Sequence, residues 1–333
     1  MKKIAFAGCA HIHTPSFVRV INECSANVTV AKVWDHAPAR AEDNAKKLSA
    51  AVCQTPEEIA DDPEIAGVII TSETNRHKEL ATMMAKAGKH IFVEKPLGFS
   101  ADDAKELAKV IKEAGVFFQT GYFMRGIPHY LFIKQLIEEN AFGTITRIRH
   151  SNCHGGSIGG WFDDEWRWMA DPAIAGCGAF GDLGTHSLDI IMWLMGRPDA
   201  VTASIHTVTG RYGADCDESG EALLEFPSGA VATFAGGWVD HCNPVSFEIS
   251  GTNGHAAIIK DKLYLFGCGR EDAKGEEWTQ LPESLPSPLQ RFIDRVLGND
   301  GLLITADEAA DRNIVMEAAY RSAREHKRVT IEY

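Results

Sequence analysis

The sequence predicts a doubly wound, mainly parallel α/β sheet followed by an α+β domain on a large, mainly antiparallel open sheet. Three observations carry that prediction. Short apolar runs alternate with amphipathic helical stretches as far as Thr120. One of those runs, His90-Ile91-Phe92-Val93, ends abruptly in Glu94-Lys95-Pro96. Beyond Gly196 the alternation stops, and strand follows strand with turn residues between them.

Taken in order, Ile4–Ala7 reads as a buried strand, followed by Gly8-Cys9-Ala10-His11-Ile12-His13. Thr14-Pro15 supplies an N-cap residue and a proline at the first helical position. A strand, a Gly-led turn and a helix N-terminus form an anion cradle suited to a pyrophosphate. The glycine fingerprint survives only as G-x-A-x-x-H, with Ala10 and His13 at its second and third glycine positions. Val28–Trp34 is the second strand and Asp35 ends it. An acid there would accept the ribose 2′-hydroxyl of NAD and repel a 2′-phosphate, so NAD is favoured over NADP. The same aspartate also reads as an N-cap before Ala37-Pro38.

Thr55-Pro56-Glu57-Glu58 opens a short helix, and Val68–Ile70 is a strand running into Thr71-Ser72-Glu73-Thr74-Asn75. A helix from Arg76 to Ala87 stops at Gly88. The strand from His90 to Val93 then delivers Lys95 to the carboxyl end of the sheet, where open parallel sheets hold their ligands. Ser100 caps a helix to Glu113, Gly115 ends it, and Val116–Thr120 closes this half. This is a Rossmann-like domain over residues 1–122, with an α+β domain over residues 123–333.

The second half opens with a helix (Pro128–Asn140) and a strand (Thr144–His150), then a loop dense in glycine and tryptophan. Trp161, Trp166 and Trp168 beside Asp163, Asp164 and Arg167 read either as core or as a stacking platform over a sugar ring. Arg167 and His154 are candidate substrate contacts, Trp238 and His241 weaker ones of the same kind. From Asp182 a helix carries Asp182, His186 and Asp189 at i, i+4 and i+7, on one face. A histidine beside a carboxylate suits proton transfer near neutral pH. Strands at Ala200–Val208, Glu221–Phe226, Ala230–Ala235, Val245–Ser250, Ala256–Ile259 and Leu263–Phe266 follow. Helices near Pro288–Leu297 and Ala306–Glu325 and a strand Arg328–Tyr333 end the chain.

Composition narrows the function. A formal net charge of −13 over 333 residues disfavours nucleic acid and membrane surfaces as partners. The apolar stretch after Met1-Lys2-Lys3 is too short for a signal peptide and runs into Cys9, His11 and His13. The eight cysteines form no C-x-x-C pair, so neither a structural zinc site nor a disulfide framework is expected, and the chain reads as cytoplasmic and reduced. Cys177 reads as a packing residue. His11-x-His13 alone offers too few ligands for a metal, and none is expected.

Glu94-Lys95-Pro96, the strand–turn–helix start and Asp182-x-x-x-His186 after a glycine-rich run together resemble the glucose–fructose oxidoreductase/inositol dehydrogenase (Gfo/Idh/MocA) family. So do Ala87-Gly88-Lys89-His90, Gly121-Tyr122-Phe123-Met124-Arg125 and Ala318-Ala319-Tyr320-Arg321-Ser322-Ala323. The resemblance implies NAD in the first half, held by Gly8, Ala10, His11, Ile12, Asp35, Ser72, Glu73, Asn75, His77, Glu94 and Lys95. It implies a sugar, inositol or sugar derivative as substrate, met by Lys95, Tyr122, Arg125, His154, Trp166, Arg167, Asp182 and His186. His186 would be the general base, oriented by Asp182, and Lys95 would donate to the same oxygen. It further implies homodimers or homotetramers paired through the C-terminal sheets. The chain departs from the family at Ala10 and His13, at Glu73, where the family carries proline, and at Gly126 after Arg125.

Three functions fit this reading. The first is an NAD-dependent dehydrogenase of a polyol, sugar or inositol. The second is a redox-neutral enzyme that oxidises a sugar carbon transiently to permit elimination, with Glu73, His13 and His154 as extra acid and base. The third is a non-catalytic NAD and sugar sensor, against which Lys95, Asp182 and His186 together argue, since a sensor needs no proton relay.

Overall fold

The structure is a computed structural model and describes residues 1–23 and 27–333. It divides into two compact units: residues 1–121 with 173–176 and 286–313, and residues 122–172 with 177–285 and 314–333. A single cut of the sequence near residue 122 therefore leaves out two later segments that return to the first unit.

The first unit runs β1 (Lys2–Cys9), α1 (Thr14–Glu23), β2 (Val28–Trp34), α2 (Pro38–Leu48), β3 (Ala51–Val52), α3 (Glu57–Ala60) and β4 (Ile65–Thr71). It continues through α4 (His77–Lys86), β5 (His90–Val93), α5 (Ala101–Ala114) and β6 (Phe118–Thr120). The strands pair in parallel in the order β3-β2-β1-β4-β5-β6. Ile69 and Phe92 are wholly buried, as strands with both faces covered require. The sequence signals hold at α5, where Ser100 Oγ accepts the Asp103 N–H at 3.1 Å and Gly115 takes a left-handed φ of 65°. Two differ. Thr14 lies inside α1, with its hydroxyl donating to Thr71 Oγ1 at 3.1 Å. At α3 it is Glu58 Oε1 that reaches back, accepting the Gln54 and Thr55 N–H groups.

The chain then forms α6 (Pro128–Glu138), β7 (Ile145–Cys153), α7 (Pro172–Ala175), α8 (Ala179–Met195), β8 (Ala200–His206), β9 (Ser219–Glu225) and β10 (Val231–Gly237). After these come β11 (Val245–Gly251), β12 (Gly254–Ile259), β13 (Lys262–Gly267), β14 (Lys274–Glu277), α9 (Pro288–Val296), α10 (Ala306–Glu325) and β15 (Val329–Thr330). α9 seals the core of the first unit, where Leu289, Phe292, Ile293 and Val296 cluster with Ile69 and Phe92. The sheet of the second unit has nine strands in the order β14-β13-β12-β11-β7-β10-β9-β8-β15, antiparallel throughout except for the parallel pair β7–β10. The exposed strand β14 and the two-residue β3 carry no apolar run to announce them, and the closing strand pairs only at Val329 and Thr330.

α8 begins at Ala179, three residues before the sequence signal. It packs on β7, β9 and β10 and is buried on almost every face. Gly236 permits that approach, because a Cβ there would stand 2.6 Å from the Gly184 amide nitrogen. No helix among the described residues is long and apolar enough to cross a membrane. Seven cysteines are free thiols; the eighth, Cys24, lies outside the described residues.

Candidate active site

In the first unit the site grows from the carboxyl ends of β1, β2, β4 and β5. Gly8 has a φ of +93° and lies so close against Ser72 that any Cβ would collide with it. Ala10 and His11 are buried in the turn that follows, while Ile12 is partly exposed. His13 donates its backbone N–H to His11 Nδ1 at 3.2 Å, and the two rings sit 4.6 Å apart.

Glu94 is wholly buried at the tip of β5. Its Oε1 stands 3.1 Å from His13 Nδ1, and its Oε2 accepts the Lys95 backbone N–H at 3.0 Å. Burial opposes its charge, yet the His11 and His13 rings and the Lys95 ammonium hold its carboxyl well below the usual carboxylate range. Gly121 is fixed by this carboxylate, since a Cβ there would run into Glu94 Oε2. Lys95 itself is buried. His11, His13 and Glu94 bring three metal-capable donor atoms within 4.8 Å of one another, the third ligand that the sequence pair lacked.

His77 is buried, with Nδ1 2.9 Å from the Pro96 carbonyl and Nε2 3.3 Å from that of Ser72. Burial pushes its pKa down, against the two carbonyl contacts, and those contacts tie the loop after β5 to the end of β4. Asn75 is exposed. Asp35 receives the Cys9 N–H at 2.7 Å and a two-pronged grip from Arg40, which also reaches Glu73 Oε1 at 2.9 Å. Sequence reading missed Arg40; its only signal is its place on the helix that follows Asp35.

This corner fits a dinucleotide. It offers a turn at which only glycine fits, a helix N-terminus behind it and, in Glu73, a buried carboxylate oxygen with no hydrogen bond.

In the second unit, Asp182 and His186 stand one turn apart on α8, where i and i+4 side chains are neighbours. The indole N–H of the wholly buried Trp238 donates to Asp182 Oδ2 at 3.0 Å. His186 is buried beside Tyr122 and the half-exposed Phe123, ring centroids 5.9 and 5.2 Å away. Tyr122 gives its hydroxyl to a hydrogen bond with Thr185 Oγ1 at 3.0 Å. Arg125 is buried in a paired grip on Asp189, at 2.9 and 2.5 Å. Both therefore brace the wall around His186 from within the core.

The remaining candidates are spread more widely. Arg167 is exposed, donates to the Ala170 and Tyr212 carbonyls and lies over the Tyr212 ring. Trp166 is partly buried beside it. His154 rests against Trp161 at 4.7 Å and opens with His129, Cys153 and His241 onto a cleft of about 430 Å³. Neither Asp182 nor His186 lines that cleft.

Residues 2–122 match the model of the oxidoreductase family with an NAD-binding Rossmann fold, and residues 130–257 match the GFO/IDH/MocA C-terminal domain. A levoglucosan dehydrogenase of Pseudarthrobacter phenanthrenivorans is 31% identical over 65% of this chain and 62% of its own length, so the match spans less than two thirds of that relative. An NADP-dependent scyllo-inositol 2-dehydrogenase, IolW, of Bacillus subtilis is 26% identical over 83% of this chain and 82% of its own. Among solved structures, a levoglucosan dehydrogenase in complex with NADH and levoglucosan superposes with a TM-score of 0.87 at 21% identity, covering all of both chains. The likeness of fold extends over the full length, and the two family models between them take in the first sheet and strands β7–β11 of the second. The chain belongs to the Gfo/Idh/MocA family of oxidoreductases, with an NAD-binding Rossmann domain at its start.

Proposed function

We propose that this protein is an NAD-dependent oxidoreductase acting on a secondary hydroxyl of a sugar, inositol or sugar derivative. The observation that carries the reading is Asp182, held by Trp238 and standing one helical turn from His186. A carboxylate fixed in this way orients an imidazole and favours its protonated form. NAD, when bound, supplies the hydride acceptor. His186 takes the proton of the reacting hydroxyl, and Lys95 donates a hydrogen bond to that oxygen as its charge develops. Gly8 and the Ser72–Glu73 turn hold the dinucleotide, and Asp35 shapes the same corner. Pairing of copies through the open face of the large sheet into homodimers or homotetramers is part of the same proposal.

A redox-neutral variant has one observation in its favour. His13 and Glu94 form a second imidazole–carboxylate pair, and His13 is more than a third exposed. Such a pair could serve the extra proton transfer of an elimination.

Anaerobic absorbance at 340 nm separates these readings. The protein is mixed with NAD and a panel of polyols, inositols and glycosides, and products are analysed in parallel. Steady NADH formation with one substrate, lost in Lys95→Ala and His186→Ala, is expected for the dehydrogenase. Product without net NADH moves the assignment to the redox-neutral enzyme. Nucleotide binding with no turnover of any sugar sinks both in favour of a sensor.

A further inference from the structure

The corner at the tip of β2 has an unusual division of labour. Asp35 Oδ2 accepts from the Cys9 N–H at 2.7 Å and Arg40 Nε–H at 2.8 Å; Oδ1 accepts from the Ala37 N–H and Arg40 Nη2–H, both at 2.8 Å. A carboxylate offers about four acceptor positions, and here all four are taken. The residue that the strand-end position nominates for the ribose 2′-hydroxyl has no acceptor position left.

Glu73 has one. It is only 6% exposed, its Oε1 accepts from Arg40 Nη2 at 2.9 Å, and its Oε2 is buried without a hydrogen bond. His36 Nδ1 stands 3.4 Å and Arg76 Nε 4.0 Å from that oxygen. A buried carboxylate oxygen without a hydrogen-bond donor is costly, and a hydroxyl that supplies one is favoured. Arg40 meanwhile is shared between two acids. Asp35, Glu73 and Arg40 together carry one net negative charge, so the guanidinium at the centre of this corner is already neutralised, and the other guanidinium nearby, that of Arg76, faces Glu73 Oε2.

We propose that Glu73 accepts the adenosine ribose 2′-hydroxyl of NAD and, by holding Arg40 together with Asp35, excludes the 2′-phosphate of NADP. Asp35 is then a positioning residue that acts through Arg40, and Glu73 sets the choice of dinucleotide. The inference rests on the NAD-binding reading of this corner and goes beyond it by moving the ribose contact to a residue where the family carries proline.

The test measures binding of NADH and NADPH to the full chain by nucleotide fluorescence, with thermal melts as the folding control. In Glu73→Gln, NADH binding weakens about tenfold, as expected for loss of a charged hydrogen-bond acceptor. NADPH binding tightens by a similar factor, because the corner loses a negative charge and Arg40 is released. Adding Arg40→Met to Glu73→Gln removes the NADPH gain. If Glu73→Gln does not fold, Glu73→Asp is read instead: it keeps the charge and the exclusion of NADPH while its shorter reach weakens NADH. Variants whose two affinities stay within twofold of wild type overturn the inference and leave the NAD reading standing; a wild type that prefers NADPH overturns the inference together with the preference for NAD. A wild type that binds neither dinucleotide removes the NAD reading itself.

Discussion

Trp238 donates its indole N–H to Asp182 Oδ2 at 3.0 Å from a wholly buried ring. The bond runs from the end of β10 to the first turn of α8 and fixes the carboxylate one turn below His186. Trp238→Phe keeps most of the packing and removes the donor. Stability should fall by about 1.5–3 kcal/mol, the usual worth of a hydrogen bond to a charged group. Turnover should fall about tenfold to a hundredfold through misplacement of the base, with KM changing less. Urea denaturation and a pH–rate profile check it; a variant that loses stability but keeps both kcat and the profile would make Trp238 a packing residue only.

Arg125 and Asp189 form a two-pronged ion pair whose side chains are 7% and 1% exposed. Asp189→Asn leaves a buried guanidinium without that carboxylate and should cost about 3–5 kcal/mol. Replacing both, as Arg125→Met with Asp189→Leu, should cost much less, because no charge is then stranded. Denaturant midpoints of the single and double variants decide between an ion pair that supports the wall of His186 and one that contributes little.

The sequence reading located most of the fold because the signals were local. Ser100 and Gly115 bracket α5, and the apolar run before Glu94 is β5. Within the site it nominated residues by type and position, and the structure then divided them by partner. Tyr122 and Arg125 resemble substrate contacts on the page of a sequence, yet their polar atoms meet Thr185 and Asp189 more than sixty residues away. Arg40 was hidden, and Trp238 was nominated only as a weaker substrate contact and not as the donor to Asp182, for the same reason: pairing between distant side chains leaves no period in the chain. The third donor beside His11 and His13 is Glu94, on a different strand altogether.

Those three donors make a specific metal prediction. The proposed hydride transfer through His186 and Lys95 uses no metal, so dialysis against a chelator should leave NAD binding and turnover unchanged. Two imidazoles and a carboxylate are nevertheless a good zinc set, so added Zn²⁺ should inhibit. The inhibition should reverse with chelator and weaken at least tenfold in His13→Ala. Inhibition that persists unchanged in that variant would place the zinc elsewhere.

His150 supplies a pH prediction whose sign follows from its surroundings. Ser187 Oγ donates to the Ala235 carbonyl, so it accepts from His150 Nδ1–H at 2.9 Å, and His150 Nε2 in turn accepts from the Tyr130 hydroxyl at 2.8 Å. The neutral ring thus links α6, β7, α8 and β10. Burial pushes its pKa down to about 3, the charge of Asp189 opposing. In the unfolded chain an ordinary histidine takes its proton near pH ~6.5. Above that value neither state is protonated and His150 contributes no pH dependence. Below it the unfolded state alone binds the proton, so stability falls as the pH drops and goes on falling until the folded ring titrates. Each pH unit in that window costs about 1.4 kcal/mol. Between pH 7 and pH 4.5, His150→Gln should therefore lose about 2–3 kcal/mol less stability than the wild type, whatever its stability at neutral pH. Denaturant unfolding at the two pH values measures the difference directly. Equal losses in the two proteins would mean that His150 does not remain neutral in the folded state.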